Sequence, residues 1–241
     1  HMAHISIIIP SYNSSEALLK NLPYLKKFLN KEKLEAEVII VDDGSVDEGA
    51  TKEVVEKFGF RYFGYQTNMG KGHAVRKGIE NASGDYIFYT DADVPFEGNA
   101  ILTILHYLKV KEFDLAIGDR SLESSEYFSK VSTKRKFGSG VFTFIVGRFV
   151  TTGITDTQCG LKGFRKEVAQ DIFGVSLINS FTFDVELIYI ALKRNYDIKK
   201  VPVTLRSQDG NSVNVFKHAI GMALDLLKIK LNHVRGLYKK R

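Results

Sequence analysis

Between Ile5 and Gly118 the chain repeats one rhythm: a short β-branched run, a polar loop, then apolar residues at helical spacing. The run His4–Pro10 carries Ile5, Ile7, Ile8 and Ile9 and stops at a proline, which predicts a buried strand. Ala17, Leu18, Leu22, Leu25 and Leu29 then recur as one face of a helix. The same reading places strands at Ala36–Val41, Arg61–Tyr65, Asp85–Tyr89 and Asp114–Gly118, and helices at Thr51–Phe58, Gly72–Ala82 and Asn99–Val110. Strands separated by helices predict an α/β fold around a mainly parallel sheet of right-handed βαβ units. Beyond Gly118 the rhythm becomes irregular, with a basic and aromatic segment, Lys130–Phe149, and a Thr/Gly-rich stretch, Thr151–Gly163.

Composition narrows the class. With 241 residues, 44% hydrophobic and 26% charged, the chain can bury a sizeable core, which excludes disordered, collagenous and coiled-coil chains. One cysteine, Cys159, excludes an intramolecular disulfide framework and fits a reducing compartment. No uncharged apolar window approaches the roughly 18–20 residues of a membrane span, and no secretion signal opens the chain. His1 and Met2 read as a cloning remnant. With no repeat or linker, one domain over 3–241 is expected. The net charge of +6 is a C-terminal property, because 12 Lys/Arg face 3 Asp/Glu from Lys193 onward. That asymmetry suits an anionic partner such as a phosphate-bearing substrate or a membrane surface, or else a solvated basic face. The tail lacks interleaved aromatics and zinc ligands, so no nucleic acid is expected.

In parallel sheets ligands sit where strands end and loops lead into helices. Those loops read Ser11-Tyr12-Asn13, Asp42-Asp43-Gly44-Ser45, Asn68-Met69-Gly70-Lys71-Gly72 and Asp91-Ala92-Asp93. Two carboxylates around one small residue can converge on a hard cation such as Mg²⁺ or Mn²⁺, or they can cap the following helix. An Asp at position 42 can accept from a ribose hydroxyl or base N–H, or close a tight turn with Gly44. Gly70-Lys71-Gly72 can bring backbone N–H groups and a cation towards a diphosphate, or form a plain turn.

The order Pro-Ser-Tyr-Asn, Val-Asp-Asp-Gly-Ser, Asn-Met-Gly-Lys-Gly, Asp-Ala-Asp resembles the N-terminal half of family 2 glycosyltransferases with the GT-A fold, inverting enzymes that use nucleotide-sugar donors. Ile117-Gly118-Asp119-Arg120, the run from Asp156 to Phe164, and Phe183-Asp184-Val185-Glu186 extend the similarity to polyprenyl-phosphate sugar synthases, especially the dolichyl-phosphate glucose branch. The resemblance implies a three-layer α/β/α domain, with a nucleotide-sugar half over 3–120, an acceptor half over 121–214 and a basic amphipathic helix over 215–241. It implies that Pro10, Tyr12, Asp42 and Gly44 line the nucleoside pocket, with Lys71 near the donor diphosphate. Asp91 would contact ribose or sugar and share a divalent ion with Asp93 across Ala92. Arg120 and Arg135 match basic positions near donor and acceptor phosphates, while Asp156 and Gln158 match the acceptor or sugar side.

The sequence departs from the family pattern in two places. Ser14-Ser15 separate Tyr12-Asn13 from Glu16, and Arg206, Gly210 and Ser212 follow Val201-Pro202-Val203 at looser spacing, so Arg206 is a candidate phosphate ligand only by analogy.

The implied reaction moves a hexose from UDP-glucose or GDP-mannose to a polyprenyl phosphate, dolichyl or undecaprenyl, at the cytoplasmic face of a membrane. A phosphate acceptor is already anionic, whereas a saccharide hydroxyl would need a general base, for which Asp184 and Glu186 on the helix Phe183–Leu192 are candidates. Near the C-terminus, Ile220, Ala223, Leu224, Leu227, Leu231 and Val234 share one helical stripe edged by Lys217, Lys228 and Arg235. Such a stripe either lies on an anionic bilayer or packs on the domain.

Overall fold

The structure, a computed structural model, describes residues 4–125, 146–148, 150, 151, 154, 156–206 and 215–239, with 215–219 described by backbone alone. The elements run β1 (Ile5–Ser11), α1 (Ser15–Lys31), β2 (Ala36–Asp43), α2 (Ala50–Lys57), β3 (Arg61–Tyr65), α3 (Lys71–Glu80), β4 (Tyr86–Thr90), α4 (Asn99–Lys109) and β5 (Leu115–Gly118). After these come β6 (Leu161–Arg165), α5 (Lys166–Val175), α6 (Phe183–Lys193), β7 (Ile198–Val201) and α7 (Val215–Val234). The seven strands form one sheet in the order β3-β2-β1-β4-β6-β5-β7.

Strand alternation sorts the core into two layers. Ile5, Ile7 and Ile9 point to one face and meet Leu18, Leu22 and Leu25 of α1 together with Ile101 and Ile104 of α4. Ile8 points to the other, where Ala74 and Val75 of α3, Ile172 of α5 and Ile188 of α6 cover the sheet. This is the expected three-layer α/β/α arrangement. Adjacent strands are parallel except around β6, which pairs antiparallel with both β4 and β5.

Two elements depart from the sequence-based reading. The stretch ending in Gly163, read as irregular, continues into β6, whose Lys162 lies opposite Tyr89 in the ladder. β7, also in the part of the chain read as irregular, runs Ile198–Val201 and ends there, as Pro202 has no N–H to extend the ladder. The antiparallel course of β6 matters for function. Its entry, Thr157–Gly160, arrives at the same sheet end as the exits of the parallel strands.

Candidate active site

Four buried polar side-chain atoms lack a hydrogen-bond partner among the described residues: Ser11 Oγ, Asp93 Oδ1, Asp119 Oδ2 and Thr182 Oγ1. Ser11 ends β1, Asp93 follows β4, and Asp119 follows β5. Thr182 precedes α6, whose Phe183 ring lies 5.9 Å from Lys71 Nζ at the start of α3. All four thus gather at the carboxyl end of the sheet. Asp119 Oδ2 has Lys200 Nζ at 3.9 Å, whereas the other three have no polar partner, and buried polar atoms are costly to leave unpaired, so this end of the sheet is the candidate face for a ligand.

On the β1–β2 side the loops are stitched together. Asn13 N–H donates to Ser45 Oγ at 2.9 Å, and Val46 N–H donates to Asn13 Oδ1 at 2.9 Å, which leaves the neighbouring Tyr12 ring exposed beside buried Pro10. Asp42 accepts from Ser45 N–H at 3.0 Å and from the Tyr62 hydroxyl at 2.9 Å. Burial, then this bond, pushes the Tyr62 hydroxyl up to about 12, so it remains a donor. Gly44 has φ +75°, and a Cβ there would stand 2.6 Å from Asn68 N, so only glycine lets the β2 and β3 loops touch. Asp43, to which no role was assigned from sequence, is the strut of the next loop. It accepts from Tyr65 Oη at 2.7 Å, Asn68 Nδ2 at 3.0 Å, Met69 N–H at 2.8 Å and Gly70 N–H at 2.9 Å, shaping the approach to Lys71.

Lys71 opens α3, and its ammonium meets Asp91 Oδ1 at 2.5 Å. Burial opposes the Lys71 charge, but Asp91, and beyond it Asp184 and Asp93, hold the ammonium above its ordinary value. The other Asp91 oxygen fits against Gly160, where any Cβ would overlap it. Thr90 Oγ1 ties the same point down by donating to Gly160 O at 2.7 Å. Ala92, between the two carboxylates, is partly buried and packs against the core layer that holds Ile5, Ile7 and Ile9. Burial, and then the Asp91 charge, raises the Asp93 carboxyl above its usual range.

Arg206 is not placed as a phosphate ligand. Its guanidinium donates to Val94 O at 3.0 Å, to Asp93 O at 3.1 Å and to Asn21 Oδ1, and it stacks 4.3 Å from the Tyr24 ring centre. It braces the backbone that carries Asp93.

After β5, Arg120 and Asp156 are brought together. The guanidinium binds the carboxylate through Nε at 3.0 Å and Nη2 at 2.7 Å, and Arg120 N–H donates to the same group at 2.6 Å. Gln158 Nε2 reaches Phe181 O at 3.5 Å. Arg135 lies outside the described residues, as do Gly210 and Ser212.

Asp184 and Glu186 differ from the expected free bases. Asp184 is buried, and its Oδ1 accepts from Lys162 Nζ at 2.9 Å and from the Tyr89 hydroxyl. Glu186 is also buried and accepts from Leu177 N–H, Ile178 N–H and the Tyr238 hydroxyl, each at 2.8 Å. Glu186 thus has both oxygens engaged in the fold, and Asp184 has Oδ1 engaged. Sequence gives Lys162 no role because it sits in an ordinary-looking loop sequence; the available signal is a lysine between Leu161 and Gly163-Phe164 in a stretch otherwise fit for a buried strand.

The arrangement can receive an anionic ligand with a cation. Among the described residues no group of three or more His, Cys, Asp or Glu could hold a metal alone. Asp91 and Asp93 stand two residues apart directly after β4, Asp91 paired with Lys71 and Asp93 with one carboxylate oxygen unpartnered.

Comparison with known proteins agrees with this geometry. Residues 6–173 match the family described as Glycosyl transferase family 2. A dolichyl-phosphate beta-glucosyltransferase of Dictyostelium discoideum is 34% identical over 250 residues, covering 98% of this chain and 76% of the relative. One from Saccharomyces cerevisiae is 31% identical, with the same 98% and 76% coverage. Among solved structures, glucosyl-3-phosphoglycerate synthase of Mycobacterium tuberculosis, in complex with Mn²⁺, uridine diphosphate and glucosyl-3-phosphoglycerate, superposes with a TM-score of 0.70 at 15% identity, over 94% of this chain and 80% of that one. Mannosyl-3-phosphoglycerate synthase of Rubrobacter xylanophilus also gives 0.70, at 16% identity, over 97% and 74%. The sheet with its one reversed strand, the loops at its carboxyl end and these similarities together identify the chain as a member of glycosyl transferase family 2, a glycosyltransferase with the GT-A fold.

Proposed function

We propose that this glycosyltransferase moves a hexose, with inversion, from a nucleotide diphosphate sugar to a polyprenyl phosphate of the dolichyl or undecaprenyl type, with UDP-glucose favoured over GDP-mannose as donor. The observation that carries the acceptor assignment is the engagement of Asp184 and Glu186. A saccharide hydroxyl needs a base, and both candidate carboxylates on α6 already accept internal hydrogen bonds. A phosphate monoester is ionised near neutral pH and needs only to be positioned. The names of the relatives, dolichyl-phosphate beta-glucosyltransferases, support the same choice.

In this reading Pro10, Tyr12, Asp42 and Gly44 form the nucleoside wall and Lys71 serves the diphosphate. The loop Asp91-Ala92-Asp93 serves ribose, sugar and a divalent ion. The buried, unpartnered Asp93 Oδ1 beside Asp91 fits Mg²⁺ or Mn²⁺, hard ions that take carboxylate oxygens and complete their shell with substrate phosphates. When bound, such an ion neutralises charge on the departing diphosphate. Lys71 contributes a fixed positive charge at the same place, exchanging its Asp91 partner for phosphate oxygen. Arg120, held by Asp156, supplies positive charge across the cleft, and Gln158 offers its amide to sugar or acceptor. Residues 3–120 act as the donor half and 121–214 as the acceptor half, at the cytoplasmic face of a membrane.

A transfer assay with labelled UDP-glucose and GDP-mannose, detergent-dispersed dolichyl or undecaprenyl phosphate, and Mg²⁺ or Mn²⁺ tests the proposal. Glucose should enter the lipid fraction, and Asp93→Ala should lower the rate by about 10³-fold. Label in oligosaccharide in place of lipid would overturn the acceptor; absence of donor binding would overturn the whole reading.

A further inference from the structure

The C-terminal helix packs in an unusual sense. Met222, Asp225 and Ile229 of α7 are buried against the domain, and Tyr238 just beyond it donates to Glu186 at 2.8 Å. The opposite side of the helix is apolar and faces outward: Ile220 is 81% exposed, Leu227 67% and Val234 82%, with Leu224 and Leu231 between them. At 100° per residue these five positions fall within about 80° of one another, directly away from the buried face. A stripe of large aliphatic side chains held away from the core is an interaction surface.

The charge around the stripe selects its partner. Asp225 is the only acidic residue from 210 to the end, and it is turned inward to accept from Ser180 Oγ at 2.5 Å. After it the chain adds Lys228, Lys230, Arg235, Lys239, Lys240 and Arg241. Lys228, which also pairs with Asp225 Oδ1 at 3.3 Å, and Arg235 lie along one edge of the stripe, and Lys230, whose ammonium reaches back to 4.9 Å from the Tyr189 ring centre, lies along the other. An apolar stripe flanked by cations, with no outward acid, matches an anionic bilayer surface.

The stripe is also coupled to the cleft. Ser180 belongs to the loop whose Phe181 carbonyl accepts from Gln158 and whose next residue is the unpartnered Thr182. Leu177 and Phe181 of that loop are also exposed apolar residues.

We infer that the outward stripe of α7 docks on anionic membrane, with Ile220, Leu224, Leu227, Leu231 and Val234 entering the acyl boundary and the lysines meeting lipid headgroups. This sets the acceptor side of the cleft against the surface from which a polyprenyl phosphate arrives, and in that respect it rests on the proposed function.

The chain has no tryptophan, so Leu227→Trp provides a single reporter. Its emission should shift to the blue on vesicles of phosphatidylcholine with phosphatidylglycerol. The shift should weaken with salt and be absent for a Glu56→Trp control on α2. The pair Leu224→Gln and Leu227→Gln should weaken vesicle partition by about tenfold per residue. It should lower transfer to long-chain acceptor in vesicles while preserving transfer to a short, water-soluble isoprenyl phosphate. Unchanged emission with vesicles overturns the inference. So does a wild-type dimer in sedimentation equilibrium that the glutamine pair converts to monomer, which would assign the stripe to a second copy. Vesicle binding without transfer to either phosphate would uphold the docking surface and remove the proposed acceptor.

Discussion

Two lysine–aspartate pairs lie at the same end of the sheet and have opposite characters. Lys71 and Asp91 keep 23% and 34% of their side chains exposed, whereas Lys162 and Asp184 keep 0% and 6%. Lys162 is further enclosed by Cys159 O at 2.8 Å and by the Tyr89 ring, so its ion pair has no route to a new partner. Lys71 sits at a loop-to-helix junction and is the lysine proposed to trade its carboxylate for a phosphate. A charge pair becomes functional by keeping access to an alternative partner. One that loses access becomes a fastening, and its value lies in the cost of breaking it.

The largest effect should come from the sealed pair. Lys162→Met strands the Asp184 carboxylate and should cost about 3–5 kcal/mol in urea unfolding, whereas Lys162→Met with Asp184→Leu should recover most of that loss. If the single and double variants unfold alike, the pair is not the fastening described.

Next comes the open pair. Lys71→Met should lower kcat by about 10²-fold through lost charge at the diphosphate, yet change stability by no more than about 1 kcal/mol, because partly exposed pairs contribute little. A large fall in Tm with intact turnover would reverse the contrast between the two lysines.

The smallest effect concerns Asp93, whose carboxyl is held above its ordinary range by burial and by Asp91. A folded-state value above the unfolded one means stability is fullest below the unfolded value and is lost as pH rises through the folded value. Metal-free Asp93→Asn should therefore melt about 2 °C above the wild type near neutral pH, and the two should converge in acid. Mn²⁺ should raise Tm only in the wild type. A variant that melts lower at neutral pH would show that the carboxylate carries no such burden.

The first five strands are legible because their signals are local. β1 and β2 combine β-branched runs with polar exits, β3 to β5 are short apolar or aromatic runs with polar exits, and the Asp42, Lys71 and Asp91 to Asp93 loops follow those exits. The later half is set by tertiary pairing. Leu161-Lys162-Gly163-Phe164-Arg165 carries two cations and a glycine, and it is a strand only because β4 and β5 leave a slot that it fills. Arg206 read as a phosphate ligand because sequence shows a charge without its neighbours; Asn21, Tyr24 and the Asp93 carbonyl meet it only after folding. The α7 pattern revealed the apolar stripe but not its direction, since an inward and an outward face have the same period.

The sole cysteine has a practical consequence. Cys159 is fully buried, and burial, followed by the nearby Asp156 charge, pushes its thiol up to about 12. At neutral pH it offers almost no thiolate to an alkylating or oxidising reagent. This 241-residue chain is thus a silent background for thiol chemistry, and a cysteine introduced on the loop after β3 or along α7 would be the site in it that takes a spin label or fluorophore.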